Sequence, residues 1–355
     1  MISFYPGPSK LNENTKAHLI EAVDSGILSM NHRSPDFIEL SKTTASLLRE
    51  KLSIPKDYNI LFISSATEAW EIIAQSLIKN HSLHIFNGAF GEKWMDYTQK
   101  LISDVQCYRY SIHSKIQIEA LAISPKCKVI CLTQNETSNG TQICNGVLEK
   151  IQKLYPEKLI AVDATSSMGG VALDFAQADI WFASVQKCFG LPSGLGILIY
   201  SPKVVEKANL IAERSHYNSF LSLVDRMKDF QTTHTPNILN IFLLRKILEE
   251  RPSIEIIDKQ ISKRADQWYG FLKEISAETL ITNPECRSKT VITLQGNENF
   301  IDAIKKEALH SGFVMGNGYG RWAKSTFRIA NFPAYTSEDI EKLQKFLLNY
   351  YSSNS

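Results

Sequence analysis

The chain contains no long block of one charge and no long apolar segment. Its 39 lysine and arginine residues nearly balance 37 aspartate and glutamate residues, which gives a net charge of +2. Without a basic block, binding to nucleic acid or to a membrane surface is not expected. No apolar run approaches the roughly 20 residues that span a bilayer, and the N-terminus lacks the basic start and apolar core of a signal peptide. These absences predict a cytoplasmic protein.

Cysteine is present, but not in a pattern typical of a metal site or a disulfide framework. The six cysteines are scattered and include no Cys-x-x-Cys pair. Cys127 and Cys131 lie four positions apart, but no second pair of ligands follows them, so a zinc site is not expected. We therefore predict free thiols in a reducing compartment and no metal centre.

From residue 59 onward, short apolar runs of strand character alternate with helical patterns. This alternation predicts a mostly parallel sheet covered by helices. After residue 250 a long helix leads into a smaller α+β unit. The predicted strands are 60–63, 83–86, 105–110, 128–132, 159–162, 180–185 and 197–200 in the sheet, and 291–294 and 325–329 in the smaller unit.

The length and composition agree with two domains. The chain has 355 residues, of which 44% are hydrophobic and 21% are charged, an ordinary globular balance with ample material for a core. A chain of this length is expected to form two domains, or one large and one smaller domain. We assign residues 12–250 to the large domain and residues 1–11 and 251–355 to the small one.

One lysine, Lys187, follows the apolar run 180–185 and precedes a turn rich in glycine, proline and serine. Burial at such a strand end disfavours the ammonium form and lowers the pKa of a lysine, which makes the amine a useful imine-forming nucleophile. The residues alone leave a second interpretation open, in which the side chain reaches solvent from the strand end.

Polar residues follow several of the predicted strands. Asn135, Thr137, Asp163 and Lys187 each come shortly after a strand of the predicted sheet. Ligands of parallel sheets bind beyond the carboxyl ends of the strands, so we expect these four side chains to converge on one site.

The residue types at this edge suit a pyridoxal ring held by Lys187. The ring nitrogen needs a carboxylate to stay protonated, and Asp163 can supply it. The phosphate needs backbone donors at a helix start, which the turn Ser65-Ala66-Thr67 offers, and Phe90 can stack on the ring. Each also has an ordinary structural interpretation: an Asx-turn, a helix cap and core packing, respectively.

Several segments occur in an order and approximate spacing that are specific as a set. They are Pro6-Gly7-Pro8, Asn31-His32-Arg33-Ser34, Asn135-Glu136-Thr137, Ala161-Val162-Asp163-Ala164-Thr165-Ser166-Ser167, Ser184-Val185-Gln186-Lys187, His234-Thr235-Pro236 and Phe327-Arg328-Ile329. Over nearly its full length the sequence thereby resembles the class V aminotransferases of the aspartate aminotransferase fold, and among them the phosphoserine aminotransferases. The resemblance implies an α/β fold with a large, mostly parallel-sheet domain and a smaller α+β domain. It also implies pyridoxal 5′-phosphate (PLP) as cofactor, small amino and 2-oxo acids as substrates, and a homodimer with shared active sites.

The resemblance implies a role for each matching residue. Lys187 would bond covalently to PLP and carry the proton between the substrate α-carbon and the cofactor. Asp163 would pair with the pyridine nitrogen, and Thr137 would hydrogen-bond near the phenolic oxygen. Gln186, Ala66 and Thr67 would contact the cofactor phosphate, Phe90 would stack on the ring, and His234 and Thr235 would come from the second subunit. Arg328 would bind the substrate α-carboxylate, and His32 and Arg33 would bind the substrate phosphate.

The chain departs from the family pattern at three places. The family's glycine-rich loop with an arginine is here residues 64–68, without an arginine. The ring-stacking tryptophan is here Phe90. Where the family often has His-Arg, this chain has Arg321-Trp322, so we expect Arg321 to take over part of the substrate-phosphate contact.

The leading prediction is a transaminase that exchanges amino groups between O-phospho-L-serine and 2-oxoglutarate, giving 3-phosphohydroxypyruvate and glutamate, in serine biosynthesis. The alternative is another class V transaminase, for serine or alanine with glyoxylate. A cysteine desulfurase is less favoured because that branch has histidine where this chain has Gln186. A non-catalytic protein of the same fold is disfavoured by the joint presence of Lys187, Asp163 and Thr137.

Overall fold

The computed structural model describes residues 1–353. Its strands are β1 (Ile2–Phe4), β2 (Asn59–Ile63), β3 (His81–Phe86), β4 (Asp104–Arg109), β5 (Val129–Thr133), β6 (Asn135–Glu136), β7 (Thr141–Gln142), β8 (Leu159–Asp163), β9 (Ile180–Ser184), β10 (Gly196–Tyr200), β11 (Val291–Gln295), β12 (Phe313–Asn317) and β13 (Thr326–Ala330). Its α-helices are α1 (Thr15–Asp24), α2 (Pro35–Lys51), α3 (Ala66–Leu77), α4 (Ala89–Leu101), α5 (Asn145–Leu154), α6 (Pro202–Ile211), α7 (Phe220–Met227), α8 (Ile238–Glu250), α9 (Ile254–Glu274), α10 (Glu298–His310) and α11 (Ser337–Ser353).

The larger sheet has seven strands in the order β2-β10-β9-β8-β5-β3-β4. Strand β10 runs antiparallel to both of its neighbours, whereas the pairs from β9 to β4 are parallel. The predicted mostly parallel sheet is therefore confirmed, and each strand predicted for it from the sequence is present. Because the parallel strands point the same way, the residues that follow β5, β8 and β9 emerge at one edge.

Alternating strand residues fill two cores, one on each face of this sheet. On β2, Ile60 and Phe62 lie in a core with residues of α2 and α8. Leu61 and Ile63 lie in the other core, with residues of α3, α4, α6 and α7. A strand covered on both faces needs apolar residues at successive positions, which is why these strands appear in the sequence as continuous apolar runs.

The smaller sheet has four strands in the order β1-β12-β13-β11. Strand β1 pairs in parallel with β12, so that Ile2 lies opposite Phe313. Neither β1 nor β12 was predicted from the sequence. The division into a large domain of residues 12–250 and a small domain of residues 1–11 and 251–355 stays a proposal.

Helix α9 connects the two sheets. Its first half contributes Ile254, Ile257 and Ile261 to a core of the large sheet. Its second half contributes Trp268 and Leu272 to the core of the small sheet. This shared helix fixes the small sheet beside the edge at which the parallel strands end.

Helix α2 follows the His32-Arg33 pair directly. Its start is well specified because Pro35 occupies the first turn and the Ser34 hydroxyl accepts a hydrogen bond from the backbone N–H of Phe37 at 3.3 Å. The capped start holds His32 and Arg33 at a defined place on the surface of the large domain.

None of the helices among residues 1–353 combines the length and apolar character that crossing a bilayer requires. In the same part of the chain, no group of three or more His, Cys, Asp or Glu side chains is arranged to hold a metal ion.

Candidate active site

A pocket of about 210 Å³ lies at the edge where the parallel strands end, beside the small sheet. It is walled by both sheets, by the start of α3 and by the N-terminal arm. Nine of the residues that the sequence predicts for the site line it: Ala66, Thr67, Phe90, Asn135, Thr137, Asp163, Gln186, Lys187 and Arg328.

Lys187 lies in this pocket and is 7% exposed, so its side chain does not reach solvent from the strand end. Its Nζ donates to Thr137 Oγ1 at 2.8 Å and to Ser166 Oγ at 2.9 Å. The N-terminal arm packs directly on it, because a Cβ on Gly7 would lie 2.7 Å from Lys187 Cε. Burial lowers the pKa of Lys187 from 10.5 to about 8, against the opposing effect of the Asp163 carboxylate. The amine is thus largely pre-positioned and easily deprotonated, as a nucleophile needs.

The lowered pKa predicts a pH-dependent cost of burying Lys187. Below about pH 8 the free-energy cost of burying the ammonium group is fully present. Between about pH 8 and 10.5 the unfolded chain binds more protons than the folded one, so the free energy of unfolding rises with pH and the cost disappears. We expect apo-protein carrying Lys187→Met to be more stable than the parent by about 3 kcal/mol at the lower pH. Urea unfolding of both proteins across this range should show the difference shrinking; a difference independent of pH would contradict the assignment.

Asp163 ends β8, and both of its carboxylate oxygens are held. Oδ1 accepts from the backbone N–H of Thr165 at 2.9 Å, and Oδ2 accepts from the indole N–H of Trp70 at 3.3 Å. Burial raises the pKa of Asp163, whereas these two donors and the nearby charge of Lys187 act in the opposite direction. The donors therefore help a buried carboxylate to remain ionised.

Trp70 was not predicted as a site residue, and its indole N–H offers a test of this arrangement. Trp70→Phe removes a donor to a buried carboxylate, which should lower the free energy of unfolding by about 1.5–3 kcal/mol. Trp94→Phe is the matched control, because Trp94 is equally buried and its Nε1 has no hydrogen-bond partner among residues 1–353. Equal losses in urea unfolding of the two variants would show that the bond to Asp163 contributes nothing.

Arg328 reaches the pocket from β13 of the small sheet. Its Nε donates to the carbonyl of Asn317 at 2.7 Å, and its Nη1 donates to the carbonyl of Thr137 at 2.8 Å. The guanidinium is 2% exposed, and burial lowers its pKa. Because two of its nitrogens donate to backbone carbonyls, one at the end of β12 and one directly after β6, the group has a fixed orientation at the pocket wall. A guanidinium of this kind suits a carboxylate ligand.

The first turn of α3 forms another wall of the pocket. Ser65 caps the helix by accepting from the backbone N–H of Glu68 at 3.1 Å. The N–H of Ala66 donates to Ser184 Oγ at 2.8 Å, so this amide already has a protein partner. Thr67 lines the pocket one residue further on. The turn presents the positive end of the helix dipole to the pocket, which favours an anion there.

Phe90 is placed by a buried carboxylate. Glu136 accepts from the backbone N–H groups of Phe90 at 3.3 Å and Gly91 at 3.1 Å, and thereby caps the start of α4. Gly88 makes room for it, since a Cβ there would lie 2.3 Å from Glu136 Cγ. The centroid of the Phe90 ring lies 5.3 Å from Lys187 Nζ, so the ring faces the amine.

Five predicted site residues are not among those that line the pocket. His32, Arg33 and His234 form a separate cluster. The nearby Arg33 and His234 contribute to lowering the pKa of His32, after burial as the main cause, and Arg33 Nη1 donates to Gln231 Oε1 at 2.8 Å. Thr235 follows His234 and is exposed.

Arg321 lines a neighbouring pocket with Arg109 and Glu92 rather than the pocket of Lys187. Its guanidinium carbon lies 4.3 Å from the centroid of the Trp322 ring.

Cys286 is buried elsewhere, in a small cluster with Ile112, and burial raises the pKa of its thiol. A buried thiol of raised pKa is a poor nucleophile, which agrees with the low rank given to a desulfurase.

The sequence did not single out several residues that the pocket uses. Tyr5, Pro6, Gly7, Trp70 and Tyr319 line it, and Ser166 bonds to Lys187. Of these residues, Pro6, Gly7 and Ser166 lie within the segments that carry the family resemblance, so the sequence offered a reason to consider them as site residues. Trp70 belongs to an apolar helix face, and its role appears only once α3 is packed against β8.

Known proteins are similar to this chain in sequence and in fold. The aminotransferase class-V family matches residues 8–318. The phosphoserine aminotransferase of Rhodococcus opacus is 30% identical over 354 residues, which cover 96% of this chain and 92% of that protein. The crystal structure of a phosphoserine aminotransferase from Cytophaga hutchinsonii has a TM-score of 0.93 at 32% identity, covering 98% of both chains.

A more distant structure shows the shared fold alone. An aspartate aminotransferase of subgroup IV from Thermus thermophilus has a TM-score of 0.86 at 20% identity, covering 99% of both chains. The predicted fold of the aspartate aminotransferase type is therefore confirmed. A match over most of its length, together with relatives of this identity and coverage, shows that the chain is a transaminase and belongs to the class V aminotransferase family.

Proposed function

We propose that the chain is a PLP-dependent transaminase that exchanges amino groups between O-phospho-L-serine and 2-oxoglutarate, a reaction of serine biosynthesis. The observation that carries the proposal is the pairing of a buried Lys187 with a buried Asp163 in one pocket. The amine has a lowered pKa and the carboxylate is held by two donors. Relatives named phosphoserine aminotransferase support the choice of substrate.

The pocket residues fit PLP. Thr133 Oγ1, Asn135 Oδ1 and Gln186 Oε1 are buried side-chain oxygens of pocket residues, and within residues 1–353 they have no hydrogen-bond partner. Unpartnered buried polar atoms are costly, so their concentration here indicates a polar ligand. The α3 start suits a phosphate, Asp163 suits a protonated ring nitrogen, and Phe90 presents an aromatic face.

When bound, PLP supplies an aldehyde for covalent attachment and an electron-withdrawing ring. The chain itself supplies the other parts. Lys187 would hold PLP covalently through Nζ, and its amine would carry the proton of the substrate α-carbon. Asp163 would keep the ring nitrogen protonated, and Arg328 would bind the α-carboxylate that amino and 2-oxo acids share. Thr137 Oγ1 accepts a hydrogen bond from Lys187 Nζ and so holds the amine in position.

The substrate phosphate requires cations beyond those of one chain's pocket. Among the pocket-lining residues the cations are Lys187 and Arg328. We assign the phosphate contact to His32 and Arg33, which lie in the cluster outside this pocket. They can reach a phosphate only if a second subunit brings them there, as the resemblance implies for His234 and Thr235.

A homodimer is therefore part of the proposal. Exposed apolar side chains support it: Ile20 is 54% and Val23 64% exposed on α1, and Leu28 is 45% exposed in the turn before His32. Apolar side chains grouped on one surface are typical of subunit interfaces. We assign this surface to the contact with a second copy, and the proposal requires that this contact bring the cluster with Arg33 to the partner's pocket.

A donor screen tests the substrate. The purified protein, loaded with PLP, is given O-phosphoserine, serine or alanine, with 2-oxoglutarate or glyoxylate as acceptor. We expect the highest kcat/KM for O-phosphoserine with 2-oxoglutarate. The alternative is a transaminase for serine or alanine with glyoxylate, and the single guanidinium in the pocket of one chain favours it. Faster turnover of serine or alanine with glyoxylate would replace the proposal.

A further inference from the structure

Tyr319 is a pocket residue to which neither the resemblance nor the proposed reaction gives a role. It lies in the turn between β12 and the Arg321 segment, with a glycine on either side. A Cβ on Gly318 would lie 2.3 Å from the carbonyl oxygen of Trp322, and Gly320 has a φ of +56°. Both positions therefore favour glycine, which permits the tightly packed turn that carries Tyr319.

The Tyr319 ring contacts the cofactor-facing side chain of the large domain. It stacks on Phe90, with 5.0 Å between ring centroids and 22° between ring planes. Its hydroxyl accepts a hydrogen bond from Lys93 Nζ at 2.5 Å. Both partners belong to α4, whose start is fixed by the Glu136 carboxylate.

The same ring also contacts the carboxylate-binding arginine. The guanidinium carbon of Arg328 lies 5.5 Å from the Tyr319 centroid, within the range of a cation–π contact. The turn that carries Tyr319 further holds Arg328, because the carbonyl of Asn317 accepts from Arg328 Nε. One aromatic ring of the small sheet thus joins Arg328 to Phe90 across the pocket.

We infer that Tyr319 is a positioning residue that sets the distance and angle between Arg328 and the ring face at Phe90. The inference rests on the proposed function. The α-carbon of a substrate must lie over the reacting edge of the ring while its carboxylate is bound by Arg328, so the two anchors must keep a fixed separation. Amino donors and 2-oxo acceptors share the carboxylate, so both depend on this separation to the same degree.

Two variants separate the ring from the hydroxyl. Tyr319→Ala removes the ring that contacts both Phe90 and Arg328, and Tyr319→Phe keeps the ring while removing the hydrogen bond from Lys93. We expect Tyr319→Ala to raise KM for the amino donor and for the 2-oxo acid by a similar factor, at least about 10-fold, because a displaced Arg328 loses a charge-assisted contact with the carboxylate that both share. Tyr319→Phe should restore both KM values to within about threefold of the parent, because the stack is kept.

The proposed function is checked in the same samples without turnover. Bound PLP should give its absorbance band in the parent and in both variants, and borohydride should fix it on Lys187. Absence of the band from the parent would refute the proposed function itself. Loss of the band in Tyr319→Ala alone would overturn the inference, because Tyr319 would then support cofactor binding. Unchanged KM values, or a change for one substrate only, would overturn it as well.

Discussion

Replacing Lys187 with alanine is expected to stop transamination while leaving the fold intact. The variant loses both the nucleophile and the proton carrier, so kcat should fall by about 10⁴-fold or more. The fold should persist because Thr137 Oγ1 and Ser166 Oγ, the partners of Nζ, also bond to each other. Turnover of O-phosphoserine and the thermal unfolding temperature are the measurements.

Lys158 provides the matched control for this experiment. It is also a buried lysine, 5% exposed, but its Nζ donates to the carbonyl of Cys127 at 2.9 Å, outside the pocket. Lys158→Met should lose stability and keep its activity per folded molecule. Near-parental turnover by Lys187→Ala would remove the assigned role of Lys187, whatever the outcome for Lys158.

Replacing Arg33 with alanine is expected to raise KM for O-phosphoserine about 10-fold to 100-fold, the loss of about 1.5–3 kcal/mol from a charge-assisted contact. KM for unphosphorylated serine should change little, because serine has no group for this contact. Arg245→Ala is the control, since Arg245 pairs with the nearby Glu249 on the same helix. An equal rise for both amino acids would argue against a phosphate site.

Hybrid dimers test whether Arg33 acts in the partner's pocket. If it does, a dimer of one Lys187→Ala subunit and one Arg33→Ala subunit contains one complete site, made of the second subunit's Lys187 and the first subunit's Arg33. Mixing the two variants under conditions that exchange subunits should then restore low KM for O-phosphoserine. If both residues served the same subunit's pocket, no complete site could form and the KM would stay high.

The large sheet and half of the site could be predicted because both depend on local signals. Strands buried on both faces appear as apolar runs, and the residues that end them must meet at one edge. Asp163 and Lys187 follow from that rule. The small strand β1 could not be found in this way, since three residues give no pattern and its partner is β12, far along the chain.

The remaining site residues depend on packing between distant segments. Arg328 meets the carbonyl of Thr137 only because the small sheet lies against the end of the large one. Tyr319 meets Phe90 for the same reason. The cluster of His32, Arg33 and His234 was recognised by resemblance, but its distance from the pocket of its own chain is a property of the tertiary structure that no local pattern carries.

The assembly of the pocket depends on the order in which the chain is synthesised, because the N-terminal arm pairs with a strand far along the sequence. Strand β1 is synthesised long before its sheet partner β12. After β1, the backbone N–H groups of Ser9 and Asn12 donate to the carbonyls of Gln186 and Gly190, on either side of Lys187. The walls of the pocket are therefore complete only after β12 and β13 have been synthesised, because Tyr319 and Arg328 belong to that part of the chain.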